Sequence, residues 1–462
     1  MTSTQHTPNP RDNFLRENNG RHQIHPMTHP LIIEQRPPRI IVKGEGSYVT
    51  DIDGKTYVDG VGGLWNVNVG HNRPEVKAAI AAQMEDISYY SSFAGTVTPP
   101  SIELSTKIIE MTAEENMARV LFSANGSDAV ETALKLSRQY WKLEGEPERT
   151  GFISLKQGYH GIQFGGTSVN GSTLYRSASG PLLPGCYQVD SPWTYRNPYS
   201  EDPEALSEAV ITQIDRLIQH QGAHTIAAFI AEPVQGAGGI IVPPASFWPR
   251  LRQVLDKYGI LLISDEVVTG FGRTGAMFGA RGWGVKPDIM CFAKGITAGY
   301  IPLGATVINE RVFAAWQKGI DPTGFIMHGY TATGHALGCA AANATLKIVE
   351  DEDLPANAGR MGKRLMDGLK DITNWSSLVG EVRGKGLMVG LDLVADKASR
   401  EPIDPGKGQG EMVATFARDE GVIVRPAGPV IIISPPLTLS ENETDKIVDA
   451  LIKALRRYEE EK

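Results

Sequence analysis

Cysteine is scarce in this sequence: the 462 residues hold three, Cys186, Cys291 and Cys339. They make no CxxC pair and no metal-ligand spacing. That excludes a disulfide scaffold and a cysteine-rich metal site, and free thiols in a reducing cytoplasm are the expectation. The ten histidines are scattered, without an HExxH or similar pair. His328 and His335 read as loop or packing residues, as does His160 on this ground, and no metal is expected. Positive charge is also short. A net charge of −8 gives neither the basic footprint of a nucleic-acid binder nor a polybasic reason to visit an anionic membrane. No apolar run approaches the roughly 18 residues of a membrane span. The opening stretch MTSTQHTPNPRDNFLRENNGRHQ lacks the apolar core of a secretory signal and reads as a mobile arm of twenty or so residues. A cytoplasmic protein is expected.

Glycine, by contrast, is abundant, with 50 residues gathered in short loops, as suits a backbone that approaches a ligand closely. Between Ile40 and Gly63, alternating apolar residues and two Asp-Gly turns predict a small antiparallel element. From about residue 76 the pattern changes to short, continuous apolar runs: VLFS, FISL, TIAAFIAE, GILLISDE, DIMCFAK and GATVIN. Such runs predict strands buried on both faces, hence a mostly parallel sheet with helices on either side. The predicted fold class is α/β. An N-terminal arm and antiparallel segment (1–75) joins a small C-terminal α+β domain (346–462), and a large α/β domain spans 76–345. In open α/β sheets ligands bind beyond the carboxyl ends of the strands. The residues ending the runs are Ser123, Glu232, Asp265 and Lys294, with Tyr159 just beyond FISL.

Each has an ordinary and a chemical reading. Lys294 either snorkels its charge to solvent or is desolvated into a nucleophilic amine able to form a Schiff base. Asp265 closes a very apolar strand, as half of a structural ion pair or as the partner of a protonated ring nitrogen. In VLFSANGSDAVETALKLSRQYW, Gly126 and Ser127 fall at a helix N-terminus, which favours a phosphate; Ser123 or Ser127 as a mere cap is the alternative. Tyr159 stacks on a planar ring or simply packs. Arg425 grips a carboxylate or lies on the surface. GFGRTG, Gly270 to Gly275, matches a dinucleotide fingerprint by letter, but no helical pattern follows it, so an NAD-binding oxidoreductase is disfavoured. Phosphate cradle, carboxylate, aromatic ring and amine together make the parts of a pyridoxal phosphate site.

The stretches ISDEVVTGFGRTG and PDIMCFAKGITAGYIPLGA resemble the signature of class III aminotransferases of pyridoxal phosphate fold type I, and the likeness runs through most of the chain. The resemblance implies a large domain with a mostly parallel sheet, a smaller α+β domain, and a homodimer with shared active sites, or a tetramer of two such dimers. It implies that Lys294 carries the cofactor and moves the proton and that Asp265 faces the pyridine nitrogen. Val267 and Tyr159 would flank the ring. Gly126 and Ser127 would bind the phosphate, with Thr331 of a second copy, and His160 and Glu232 would complete the cofactor shell. Trp65, Phe93, Tyr159, Ala231 and Arg425 would form the substrate pocket. Members acting on ornithine or 4-aminobutyrate carry a glutamate where this chain has Ala237. With Arg425 present, the pattern resembles that of the pyruvate-using ω-aminotransferases. The implied reaction moves an amino group from a taurine-, β-alanine- or diamine-type donor to pyruvate by a ping-pong route. An aminomutase or decarboxylase of the same fold is the alternative.

Overall fold

The computed structural model describes residues 10–93, 95–318 and 324–462. Its centre is a seven-stranded sheet. The spatial order is Met117–Ser123, Gly304–Asn309, Ile289–Phe292, Leu261–Asp265, Ile226–Ala231, Gly151–Leu155 and Cys186–Val189. Gly304–Asn309 runs antiparallel to both neighbours, and the other pairings are parallel. The continuous apolar runs are explained by double-sided burial: every residue of Ile226–Ala231 and Leu261–Asp265 is buried. On one face Ala228, Ile230, Leu261, Ile263 and Cys291 pack on Val130, Ala133, Leu134 and Trp141 of helix Gly126–Leu143. On the other, Phe229, Ala231 and Leu262 meet helices Pro203–Gln221 and Phe247–Tyr258. Side chains alternate between the two layers along each strand.

Two smaller sheets complete the chain. Ile41–Glu45, Tyr48–Asp51 and Thr56–Asp59 form the antiparallel element, and its last strand pairs in parallel with Val422–Ile423. Val379–Gly384, Val389–Asp396, Val430–Ile433 and Arg425–Ala427 form an antiparallel sheet, extended by Glu401–Pro402. The helix Glu441–Glu461 buries Val448, Leu451 and Leu455, the stripe its spacing predicts, while Ile452 is half-buried.

One expected boundary falls inside an element. Helix Ala336–Asp351 runs unbroken across the expected division at 345/346. The chain turns at Asp353, in the left-handed region at φ 45°, with Pro355 in the first turn of the next helix, Leu354–Leu369. Proline lacks the N–H that continuing the earlier helix would use. Of the expected N-terminal arm, residues 1–9 lie outside the described residues. Pro10–Asn18 is helical, and Arg16 bonds Asp53 at 2.6 Å.

Candidate active site

A cavity of about 400 Å³ opens at the carboxyl ends of the parallel strands. Lys294, Asp265, Gly126, Ser127, Tyr159, His160, Glu232 and Val267 all line it. Five strands, distant in sequence, bring them together: Gly126 and Ser127 follow Met117–Ser123, Tyr159 and His160 follow Gly151–Leu155, Glu232 follows Ile226–Ala231, Asp265 ends its strand with Val267 just beyond it, and Lys294 follows Ile289–Phe292.

Lys294 is half-buried, with its remaining surface in the cavity wall. Desolvation lowers its pKa, helped by the charge of Arg425 and opposed by Asp265 and Glu232. The group is thereby moved toward the neutral amine that acts as nucleophile and base. Its backbone sits in the left-handed region at φ 48°. Asp265 is buried. One oxygen accepts the N–H of Val267 at 3.1 Å and the other meets His160 Nδ1 at 2.8 Å. His160 is itself buried, and its Nε2 has no partner among the described residues. Glu232 is buried with both oxygens engaged by backbone N–H groups, Tyr159 at 2.9 Å and Gly236 at 2.8 Å. Desolvation nonetheless pushes its pKa up to about 7. The Tyr159 ring stands edge-on to Tyr175, with centroids 4.9 Å apart.

The helix Gly126–Leu143 starts at the cavity. Its cap is Asn125, whose side chain accepts the Asp128 N–H at 3.0 Å, so neither serine fills that role. Asp128 in turn accepts from Ala124 N and Asn125 Nδ2. The loop after Tyr159 docks on this turn, because a Cβ at Gly161 would lie 2.6 Å from Ser127 Oγ. A Cβ at Gly126 would lie 2.8 Å from Val267 Cγ1, so glycine is what allows the helix start to close on that wall. A helix N-terminus for an anion, a carboxylate for a ring nitrogen, a partly desolvated amine and an aromatic ring fit pyridoxal phosphate in their chemistry.

Trp65 and Arg425 stand beside this cavity. The Trp65 ring lies 5.8 Å from Lys294 Nζ and 5.7 Å from Arg425 Cζ. Phe93 and Thr331 do not line the cavity and are exposed. They neighbour each other: Phe93 packs on Gly329, and Tyr89 Oη donates to the Thr331 carbonyl at 2.7 Å. Ala94, in the same SSFAGTVTPP stretch, lies outside the described residues. Ala231 is a correction. It is buried in the core with Phe229 and Trp248 and does not line the cavity. The alanines grouped with Trp65 are Ala237 and Ala427. Asn125, Asn66, Leu303 and Tyr175 escaped the sequence reading. Only Asn125 left a signal, as an asparagine just before a helical period.

GFGRTG carries no helix after it. The next helical piece is the single turn Ala280–Trp283, so the motif offers a pyrophosphate no helix end. The family model for aminotransferase class-III matches residues 33–455.

The chain belongs to the class-III aminotransferases.

As an aminotransferase of this class it uses pyridoxal phosphate and has the type I fold of those enzymes. A solved amine transaminase from an uncultivated Pseudomonas species, in its PLP-bound form, is 56% identical with a TM-score of 0.93, covering 94% of this chain and 98% of that one. A putrescine–pyruvate aminotransferase from Pseudomonas aeruginosa is 36% identical, covering 94% of each chain. A diaminobutyrate–2-oxoglutarate transaminase from Halomonas elongata is 38% identical, covering 91% of each. Among the described residues no helix is long and apolar enough to cross a membrane.

Proposed function

We propose that this aminotransferase moves an amino group from an ω-amino acid or amine of the taurine, β-alanine or diamine type to pyruvate. The products are an aldehyde or ketone and L-alanine, by a ping-pong sequence. The observation that carries the reading is the meeting of a desolvated Lys294 and a buried Asp265 at neighbouring strand ends, in one cavity with a helix N-terminus.

Lys294 Nζ would hold the cofactor at rest and, once the donor amine has taken its place, would as a free neutral amine take the proton from the donor carbon and return it. Asp265, oriented by His160 and the Val267 N–H, keeps a ring nitrogen protonated. Bound there, pyridoxal phosphate supplies the electron sink for the carbanion. Val267 and Tyr159 flank the ring, and Glu232 fixes the backbone of Tyr159. Gly126 and Ser127 bind the phosphate from one chain, and Thr331 from a second copy completes the cradle. The exposure of Thr331 and Phe93 on one surface supports a homodimer with shared sites. The free cysteines agree with a cytoplasmic enzyme.

Pyruvate as acceptor is supported by Arg425, whose charge acts on Lys294, Tyr159 and Tyr175, and by Ala237, which offers it no carboxylate. Trp65 would bound the donor.

A panel of taurine, β-alanine, putrescine and 1-phenylethylamine, each with pyruvate and with 2-oxoglutarate, tests this by the alanine or glutamate formed. Alanine from at least one donor is expected. Arg425→Ala should raise KM for pyruvate roughly 10- to 100-fold, the worth of a charge-assisted pair, and spare KM for an amine without a carboxylate. Glutamate from 2-oxoglutarate with no alanine from pyruvate overturns the acceptor. Turnover by Lys294→Ala at the wild-type rate overturns the role of the lysine.

A further inference from the structure

We propose that Asn68 is the positioning residue for Lys294 and that Arg273, delivered by the GFGRTG loop, locks Asn68 in place. The proposal rests on the reading of Lys294 as the cofactor-bearing amine.

Lys294 adopts φ 48° and is followed at once by Gly295. A non-glycine residue in the left-handed region persists where its surroundings over-determine it. The surroundings here are Asn68. A Cβ on Gly295 would lie 2.4 Å from Asn68 Nδ2 and 3.0 Å from its Cγ, so the Gly295 backbone lies against the carboxamide. Gly299 stands in the same relation to Asn66, whose Nδ2 is 2.7 Å from the equivalent point. The glycines after Lys294 thus make room for two asparagines as well as for the cavity.

The carboxamide cannot turn. Asn68 is 1% exposed; its Nδ2 donates to the Phe271 carbonyl at 3.0 Å and its Oδ1 accepts from Arg273 Nη2 at 2.9 Å. One donor and one acceptor are required, which excludes aspartate and any apolar side chain as equals. Arg273 is fully buried, and its Nη1 donates to the carbonyls of Leu387 and Pro435. Asn68 O also accepts the Leu437 N–H at 2.9 Å. Three residues before Asn68, Trp65 presents its ring to Lys294 Nζ. One short segment therefore walls the amine and props its backbone, and Arg273 anchors that segment to the C-terminal part of the chain. A group that sets where Nζ stands changes proton transfer more than donor binding.

The test uses the cofactor-loaded protein with Asn68→Ala, Gly295→Ala and the double variant. Four quantities are followed: kcat, KM for the donor, the pH midpoint of the bound cofactor's visible absorption, and melting of the cofactor-free protein. Each single variant should lose about 10- to 100-fold in kcat, the cost of a small misplacement, with KM nearly unchanged and the midpoint shifted. In the double variant the new Cβ enters the space that the carboxamide leaves, so its activity should exceed that of Gly295→Ala. Independent sites would instead multiply their losses. Multiplied losses, or an unshifted midpoint with wild-type kcat in Asn68→Ala, overturn the proposal. If Asn68→Ala does not fold, Asn68→Asp, which keeps the acceptor for Arg273 and loses the donor to Phe271, takes its place with the same expected losses. Borohydride reduction and peptide mapping of the wild type separate the two readings. Cofactor fixed to a peptide without Lys294 overturns the underlying assignment, whereas attachment to Lys294 with unaffected variants overturns only the role of Asn68.

Discussion

Glu232 has both oxygens bonded to backbone N–H groups, yet burial still pushes its pKa up to about 7. The folded state therefore binds this proton more tightly than the unfolded chain, whose glutamate titrates near the ordinary value of about 4.3. The folded state gains from this proton below about pH 4, and that gain is lost as pH rises to about 7. Glu232→Gln removes the titration. Its melting temperature relative to wild type should thus rise between about pH 5 and about pH 8, whatever the absolute offset from the altered bonds to Tyr159 and Gly236. A difference independent of pH would assign the ionisation elsewhere. At this scale the sequence was readable where a polar residue ends an apolar run, as Asp265 and Lys294 do. Ala231 was misread because a strand buried on both faces does not declare which layer each residue joins. Asn68 and Arg273 were unreadable, since their meeting depends on segments about two hundred positions apart.

Among the elements, the helix Gly126–Leu143 shows how local chemistry supports a site. Asn125 satisfies one of the first N–H groups through Asp128 N, and Asp128 answers by accepting from Ala124 and Asn125. Gly126 and Ser127, whose N–H groups have no intrahelical acceptor by their place in the first turn, line the cavity. Asn125→Ala should cost about 1 kcal/mol of stability, the usual loss of such a cap. It should also weaken retention of the cofactor, read by melting the protein across a pyridoxal phosphate titration. A stability loss with unchanged affinity would confine the cap to folding. Strand positions were legible because continuous apolar runs of this length have few other uses in an α/β chain. The end of helix Ala336–Asp351 was less so, because the amphipathic pattern carries on into Leu354–Leu369 and hides the turn at Asp353.

For the whole molecule, the placement of Thr331 bears on assembly. It is exposed beside Phe93, away from the cavity of its own chain. If it serves a second copy, mixing Lys294→Ala chains with Thr331→Ala chains yields dimers in which one site has both native residues. Activity of the mixture, after exchange of subunits and at limiting cofactor, should then exceed the sum of the two separate preparations. Simple additivity would place both residues in the site of one chain. The sequence alone shows no interface, because a surface loop is written in the same residues whether it faces water or a partner.

The antiparallel strand Gly304–Asn309 has a consequence in time. It is the bridge between Met117–Ser123, which leads to the proposed phosphate cradle, and Ile289–Phe292, which leads to Lys294. During synthesis the cradle emerges long before the lysine, and neither can be registered against the other until residue 309 is free to pair. Such long-range closure is slow and leaves apolar strand surface waiting. A nascent chain stopped short of this strand would thus carry a helix end for the phosphate without a formed site, and cofactor capture would mark completion of the central sheet.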